Sequence, residues 1–285
     1  MPNSSMILRA VCIGWAAAVW AGLAAPAALA SGPLRAQAPA PAQKPEMMEN
    51  CPGLIASRTP KLIPAALAGD QARITYIGHS TFLVESAQLV RIGTDYNDYV
   101  KPSVRPDIVT MNRAHSTHYT DRPDPGIAHV LRGWSEGESA ARHDLNVRDV
   151  RVRNVPTNIR SYGGATERHG NSIFIYEVAN MCIAHLGHLH HTLTQQQLNE
   201  IGRVDAVMVP VDGTYTLDLD GMIDVVKALK AQVVIPMHYF SSYTLNRFLE
   251  RVREHFDVET LDVPSVVISK ASMPAKPKVL VLPGR

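Results

Sequence analysis

Two unbroken apolar runs, Ala206–Val211 (AVMVPV) and Val233–Pro236 (VVIP), leave this chain few ways to fold. Strands without polar alternation bury both faces, as parallel strands covered by helices do. Between them, Leu219–Leu229 (LDGMIDVVKAL) carries its apolar residues on one helical face. Strand, helix and strand in that order make a βαβ unit. Thr194–Ile201 reads as a helix opened by a threonine cap, and Tyr243–Phe256 as a helix with Leu245, Phe248, Leu249 and Val252 aligned. The earlier half is β-rich. Arg73–Ile77, Thr81–Glu85, Leu89–Ile92, Ile108–Met111, Val150–Val155, Ser172–Val178 and Met181–Ala184 are short, β-branched and bounded by turn residues. Val266–Ser269 and Val279–Leu282 close the chain as strands. The expected α/β architecture is two sheets sandwiched between helices in one domain.

The N-terminal stretch does not belong to that domain. Residues Met1–Ala30 carry one charged side chain, Arg9, and Ala10–Ala25 is a continuous run of apolar and small residues. Ala28-Leu29-Ala30 forms an A-x-A cleavage pattern, so residues 1–30 read as a secretory signal peptide and the protein as exported to the periplasm. The alternative is an uncleaved anchor helix, since Ala10–Ala30 is just long enough to span a bilayer. Residues 31–50 are a Pro/Ala/Gln-rich linker, and the domain is expected over 51–285. A chain shortened to begin at Cys51 is expected to fold as the mature protein does. Cys51 and Cys182 remain after export, either as a disulfide or as free thiols.

Composition excludes several functions. The 28 Lys+Arg against 26 Asp+Glu form no basic block, which argues against nucleic acid as a partner. Three cysteines exclude a disulfide-dense scaffold and a cysteine-based zinc finger. Ser80, Ser116 and Ser135 lack a nucleophile context, which disfavours a serine hydrolase.

Histidines carry the signal. Seven of the 12 fall in three windows: His115 and His118 in NRAHSTHYTD, His185, His188, His190 and His191 in HLGHLHH, and His238 in IPMHY. Each window directly follows an expected strand, and loops at one end of a sheet are where an α/β fold gathers its site. A single strand-end histidine more often satisfies a turn than binds a ligand. Three such windows converging on one edge form a metal-site pattern, because neutral imidazole is the commonest nitrogen ligand.

The ordered blocks ITYIGHSTFLVES, RIGTDYNDY, IVTM with its histidine loop, HLGHLHHTLT, VMVPVDGTYTLD and VVIPMHY resemble the metallo-β-lactamase fold. The resemblance covers about residues 73–240 and is nearest the branch of ascorbate-phosphate lactonase-like and phospholipase D-type hydrolases. It implies a four-layer αββα sandwich. It also implies an H-x-H-x-D-H motif, which here reads Arg113, Ala114, His115, Ser116, Thr117, His118. The next histidine of that pattern would fall in VPTNIRSY, where Asn158 or Ile159 stands, and the bridging Asp position is occupied by His188. The final histidine is present as His238. The carry-over therefore implies one divalent metal, zinc, held by His118, His188 and His238 with His115 as a fourth ligand, rather than two metals. Arg113 would place a fixed cation at the vacated position and stabilise developing charge, and His185 would act beside it. His79, Asp95, Thr117 and Tyr239 would line or support the pocket.

These implications make the protein an exported hydrolase of a small ester, lactone or phosphoester, with metal-bound hydroxide as the attacking group. Two alternatives are a non-catalytic binding protein that kept the fold, and a periplasmic metal-binding protein. The expected partner is a small-molecule substrate, with membrane contact only through an uncleaved leader. Oligomeric state and substrate identity are not legible in the sequence.

Overall fold

Apolar patterning sorts the strands into two sheets facing one another. The structure, a computed structural model, describes residues 66–284 apart from 135, 136, 138 and 162, all within the compact unit Leu62–Arg285. The leader, the linker and Cys51 lie outside the described residues. Among those residues, no helix is long and apolar enough to cross a membrane.

The first sheet takes up β1 (Gln71–Gly78), β2 (Thr81–Ser86), β3 (Arg91–Gly93), β4 (Ile108–Met111), β5 (His129–Arg132) and β13 (Ser265–Ser269), in the order β13-β1-β2-β3-β4-β5. The second holds β6 (Asp144–Val147), β7 (Val150–Arg160), β8 (Thr166–Val178), β9 (Met181–His185), β10 (Ala206–Pro210), β11 (Val233–Met237), β12 (Asp257–Thr260) and β14 (Lys278–Val281). Its order is β12-β14-β11-β10-β9-β8-β7-β6. As the apolar runs require, β9, β10 and β11 pair in parallel, with Met208 opposite both His185 and Ile235. Helices α1 (Gln195–Ile201), α2 (Leu219–Leu229) and α3 (Ser242–Val252) make the crossovers. Thr194 caps α1 in a reciprocal box with Gln197, and Asp218 and Ser241 cap the other two, satisfying amides that have no partner in the first helical turn.

The core has two main layers. Ile74, Phe82 and Ile92 of the first sheet meet Phe174, Tyr176, Met208 and Ile235 of the second. On the far side of the second sheet, Val207, Val209 and Val234 pack under Met222, Val226, Phe248 and Val252 of the helices. The α/β sandwich is as expected, with a difference in its outermost layer. Among the described residues all three α-helices lie over the second sheet. The outer face of the first sheet is covered by a small cluster of Tyr96, Val109, Met111 and Ile127, with Tyr119, Val130 and Trp134 beside it.

Several elements exceed the sequence reading. Strands β5, β6 and β12 leave no clear signal in the sequence, because each is four residues long, lies at a sheet edge and buries no side chain fully. The β7–β8 hairpin runs on to Arg160 and Thr166 through a polar, bulged tip. Helix α3 stops at Val252 rather than Phe256; Phe256 is buried, so it extends the helical apolar pattern past the last turn.

Phe174 is fully buried at the centre of the inter-sheet layer. Phe174→Ala removes a ring from a close-packed site and is expected to cost about 3–5 kcal/mol, checked by urea unfolding. A loss below about 1 kcal/mol would show that the two sheets repack around the void.

Candidate metal centre

Parallel pairing brings the C-terminal ends of β9, β10 and β11 to one edge, and the C-terminal end of β4 reaches the same place. From these ends, and from the β1–β2 turn, come the rings that cluster. One ligand nitrogen each of His79, His115, His118 and His238 lies within 4.8 Å of the others. The His188 ring joins them, with its centroid 4.8 Å from those of His115, His118 and His238.

Each ring is held from behind. Asp95 Oδ2 lies 2.5 Å from His118 Nδ1, and Ser80 Oγ is 3.2 Å from the same nitrogen. Asn112 fixes that carboxylate by donating to Oδ1 at 3.0 Å, while its own Oδ1 accepts from the Ser172 amide of β8 at 2.7 Å. One asparagine thus ties the β4 loop to the second sheet. His238 has Asp212 Oδ2 3.0 Å from its Nδ1, off the line of a ring N–H. Asp212 is anchored in turn by the amides of Thr214, Tyr215 and Thr216 and by the Thr216 hydroxyl at 2.6 Å. Burial pulls the Asp212 carboxyl upward, but His238, Thr216 and these amides outweigh it and hold it below the usual carboxylate range.

The consequence is a pair of imidazoles aimed at one point. Asp95 facing Nδ1 favours the proton there, which leaves Nε2 of His118 as a lone pair 3.2 Å from His238 Nε2. Tetrahedral zinc with bonds of about 2.0–2.1 Å spaces its nitrogens by roughly 3.3 Å. Without a cation, His238 can carry its proton on Nε2 and donate it to His118, since its Nδ1 has no hydrogen-bond partner. Burial, then the neighbouring rings, depresses His118 well below 6.5. Burial likewise takes His79 down to about 4. His118 and His79 are therefore neutral, as metal ligation requires. The donor set fits a divalent metal.

Backbone conformation supports the same place. His79, Asp95 and His238 all adopt positive φ, at 51°, 40° and 56°. Non-glycine residues held there are strained by about 1–3 kcal/mol each and cluster at functional sites. Gly187, at φ 60°, cannot be replaced: a Cβ would sit 2.4 Å from both Asn112 Nδ2 and Asn171 Oδ1.

Several expected roles change. The sequence places His79 only in the pocket lining, but its ring stacks 4.1 Å from that of His238 and supplies a nitrogen to the cluster. Thr117, in the expected Asp position, bridges His115 Nδ1 at 2.7 Å and His79 Nε2 at 3.0 Å. His185 does not act at the site. It is fully buried, its Nε2 donates to the Ser80 carbonyl at 2.8 Å, and its Nδ1 accepts from the Gly187 amide. Arg113 is half exposed and pairs with Glu167 at 3.7 Å. It lines a cavity of about 560 Å³ with Tyr119, Asp121, Arg132 and Trp134, not the histidine cluster. Of the two positions where the resemblance sought another ligand, Ile159 is a buried apolar side chain against Gly170, and Asn158 Oδ1 accepts from the His169 amide at 3.1 Å. Tyr239 sends its hydroxyl to the Leu282 carbonyl at 3.4 Å, away from the cluster. Its neighbour Phe240, 59% exposed, stands 5.5 Å from the His238 ring instead. Among the described residues Cys182 forms no disulfide, and Cys51 lies outside them.

Sequence reasoning missed Asn112, Asn171 and Asp212. Asp212 alone gave a signal, as the first polar residue after a buried strand. The two asparagines act across sequence separations of 60 and 17 residues, in bonds to Ser172 and His188, that no local pattern reports.

Known proteins agree with this geometry. The chain matches the beta-lactamase superfamily domain over residues 73–238. It is 24% identical over 220 residues to a protein of Archaeoglobus fulgidus called a UPF0173 metal-dependent hydrolase, covering 69% of this chain and 95% of that one. A second protein of that name, from Thermoplasma acidophilum, is 27% identical over 191 residues, covering 60% and 84%. Among solved structures, a Thermotoga maritima member of the metallo-β-lactamase superfamily superposes with a TM-score of 0.55 at 27% identity, covering 75% of this chain and all of that one. A metallo hydrolase from Ignicoccus hospitalis gives 0.51 at 20% identity over 70% of this chain and 99% of its own, which speaks for the fold. The chain belongs to the beta-lactamase superfamily domain family and has the metallo-β-lactamase fold.

Proposed function

We propose that this protein is a metal-dependent hydrolase of a small ester, lactone or phosphoester, working with one divalent metal, zinc. The observation that carries the reading is the convergence of His118 and His238, each backed by a buried carboxylate, on one point 3.2 Å across. The relatives called metal-dependent hydrolases support the reaction class. His115, His118 and His238 would hold the ion, with His79 beside it, its Nε2 taken up by the Thr117 hydroxyl. Bound there, a divalent metal polarises the scissile carbonyl or phosphoryl group and activates water at neutral pH.

The protein's own residues do the rest. Asp95 keeps the proton of His118 on the far side of its ring, and Asp212 lies behind His238. Thr117 orients His79 and His115 together. Phe240 stands exposed 5.5 Å from the His238 ring, with the Tyr215 ring 5.5 Å beyond it. A single metal rather than two follows from Arg113, Thr117 and Ile159 at positions where the resemblance places further ligands. The apolar leader supports export to the periplasm, with membrane anchoring through that segment as the alternative.

Protein purified without a histidine tag is expected to contain close to one zinc per chain by elemental analysis. Two tightly bound metals would contradict the mononuclear reading. Asp95→Asn removes the charge behind His118 and is expected to weaken zinc binding by about 10–100-fold, read by competition with a chromogenic chelator. For activity, the metal-loaded chain is assayed on panels of esters, lactones and phosphoesters, then after chelation and zinc restoration. Turnover of at least one class that disappears and returns is expected. Full metal occupancy with no turnover on any panel would make the protein a metal-binding relative without catalysis.

A further inference from the structure

The second histidine of the HLHH run, His190, takes no part in the cluster, yet it is buried directly behind His188. Its Nδ1 accepts from the backbone N–H of Arg160 at the end of β7. Its Nε2 lies 2.6 Å from His188 Nδ1. His188 Nε2 lies 3.0 Å from His115 Nε2. The chain of contacts then runs from His115 Nδ1 to Thr117 Oγ1 and on to His79 Nε2.

We infer that His190 is a positioning residue that fixes His188 as an N–H donor into the site and not as a metal ligand, through a one-way hydrogen-bond relay starting at the Arg160 amide. The direction follows from one fact. A backbone amide only donates, so His190 Nδ1 must be a lone pair. A neutral His190 then carries its proton on Nε2 and donates to His188 Nδ1. His188 in turn carries its proton on Nε2, and the bond to His115 Nε2 runs outward. His115 donates from Nδ1 to Thr117, and the Thr117 hydroxyl donates to His79 Nε2. With one proton on each ring, every donor in this chain meets an acceptor.

Ligation through His188 Nε2 would need a lone pair there. That requires either an imidazolate or a reversed relay, and reversal sets the Arg160 N–H against a ring N–H. The His188 backbone is pinned too, its amide donating to Asn171 Oδ1 at 2.8 Å. When a metal takes the His115 lone pair, the His188 N–H loses its acceptor. It is then a fixed donor beside the ion, suited to an oxygen on which negative charge develops. The donor role rests on the cluster being a metal site; the tautomer does not.

The test begins with the metal-free full chain labelled with ¹⁵N-histidine. Long-range ¹H–¹⁵N correlation spectra separate the two neutral tautomers. His188 and His190 are expected as Nε2–H and His115 as Nδ1–H; an Nδ1–H tautomer at His188 overturns the proposal without any variant being made. His190→Gln keeps the relay, because its Oε1 accepts from Arg160 and its Nε2 donates to His188. His190→Leu breaks it. The Gln variant is expected to retain the His188 signal, and the Leu variant to lose its single tautomer. Zinc titration then compares ligand with donor. His188→Ala is expected to bind zinc within about 3-fold of the parent, below the 10–100-fold loss typical even of residues that only orient a ligand. His118→Ala is expected to lose far more. Equal losses in the two variants overturn the donor assignment. Retention of zinc by His118→Ala would instead strike at the metal-site reading, leaving the tautomer result intact.

Discussion

Two carboxylates buried behind two imidazoles set the terms for the rest of this structure. Asp95 and Asp212 are almost wholly removed from solvent, and each faces a histidine nitrogen at hydrogen-bonding distance. Burying a charge is costly unless it is paired and hydrogen-bonded. Asp212 meets that cost with three amides and two hydroxyls; Asp95 meets it with Asn112 and His118. The result is a pair of nitrogens oriented before any ion arrives. Pre-orientation of this kind separates a binding site from a histidine-rich surface.

That pre-orientation depends on the sheets. Strands β9, β10 and β11 run parallel, so the residues that follow them emerge at the same edge. β10 delivers Asp212 and β11 delivers His238 from neighbouring positions, with Pro210 paired to Met237. The first sheet supplies Asp95 after β3 and the His115–His118 loop after β4, and these two strands are also parallel neighbours. The inter-sheet core of Phe82, Phe174, Tyr176 and Met208 holds the two halves of the site in register. Asn112 then fastens them with one bond to each side.

The departures from the H-x-H-x-D-H pattern form a consistent set in three dimensions. Thr117 replaces a carboxylate with a hydroxyl that both donates and accepts, so it can join two rings where an ionised acid could only accept. His188 brings a ring with two nitrogens to a position otherwise acidic, and His190 occupies the nitrogen that faces the protein. Ile159 closes with hydrocarbon the place where another ligand would stand. Arg113 turns outward to Glu167 rather than filling the vacancy. Its side chain is long enough to reach solvent, and an exposed guanidinium avoids the desolvation that a place among neutral rings would demand.

The sequence by itself determined the fold class and the location of the site. Apolar runs such as AVMVPV and VVIP can satisfy their backbones only inside a covered parallel sheet, and histidines placed directly after them must gather at its edge. It also named His115, His118 and His238, because those rings follow strands whose ends are local facts. Tertiary structure alone decided what each ring does. His185 ends β9 and His188 stands three residues on, yet one is spent on the Ser80 carbonyl and the Gly187 amide while the other faces the cluster. His79 joins the candidates only when the β1–β2 turn is laid against β11, where its carbonyl receives the His238 amide. Ligand, donor or structural support is settled by what touches the second ring nitrogen. For His118 and His185 that partner stands 23 and 105 residues away, where spacing along the chain carries no information.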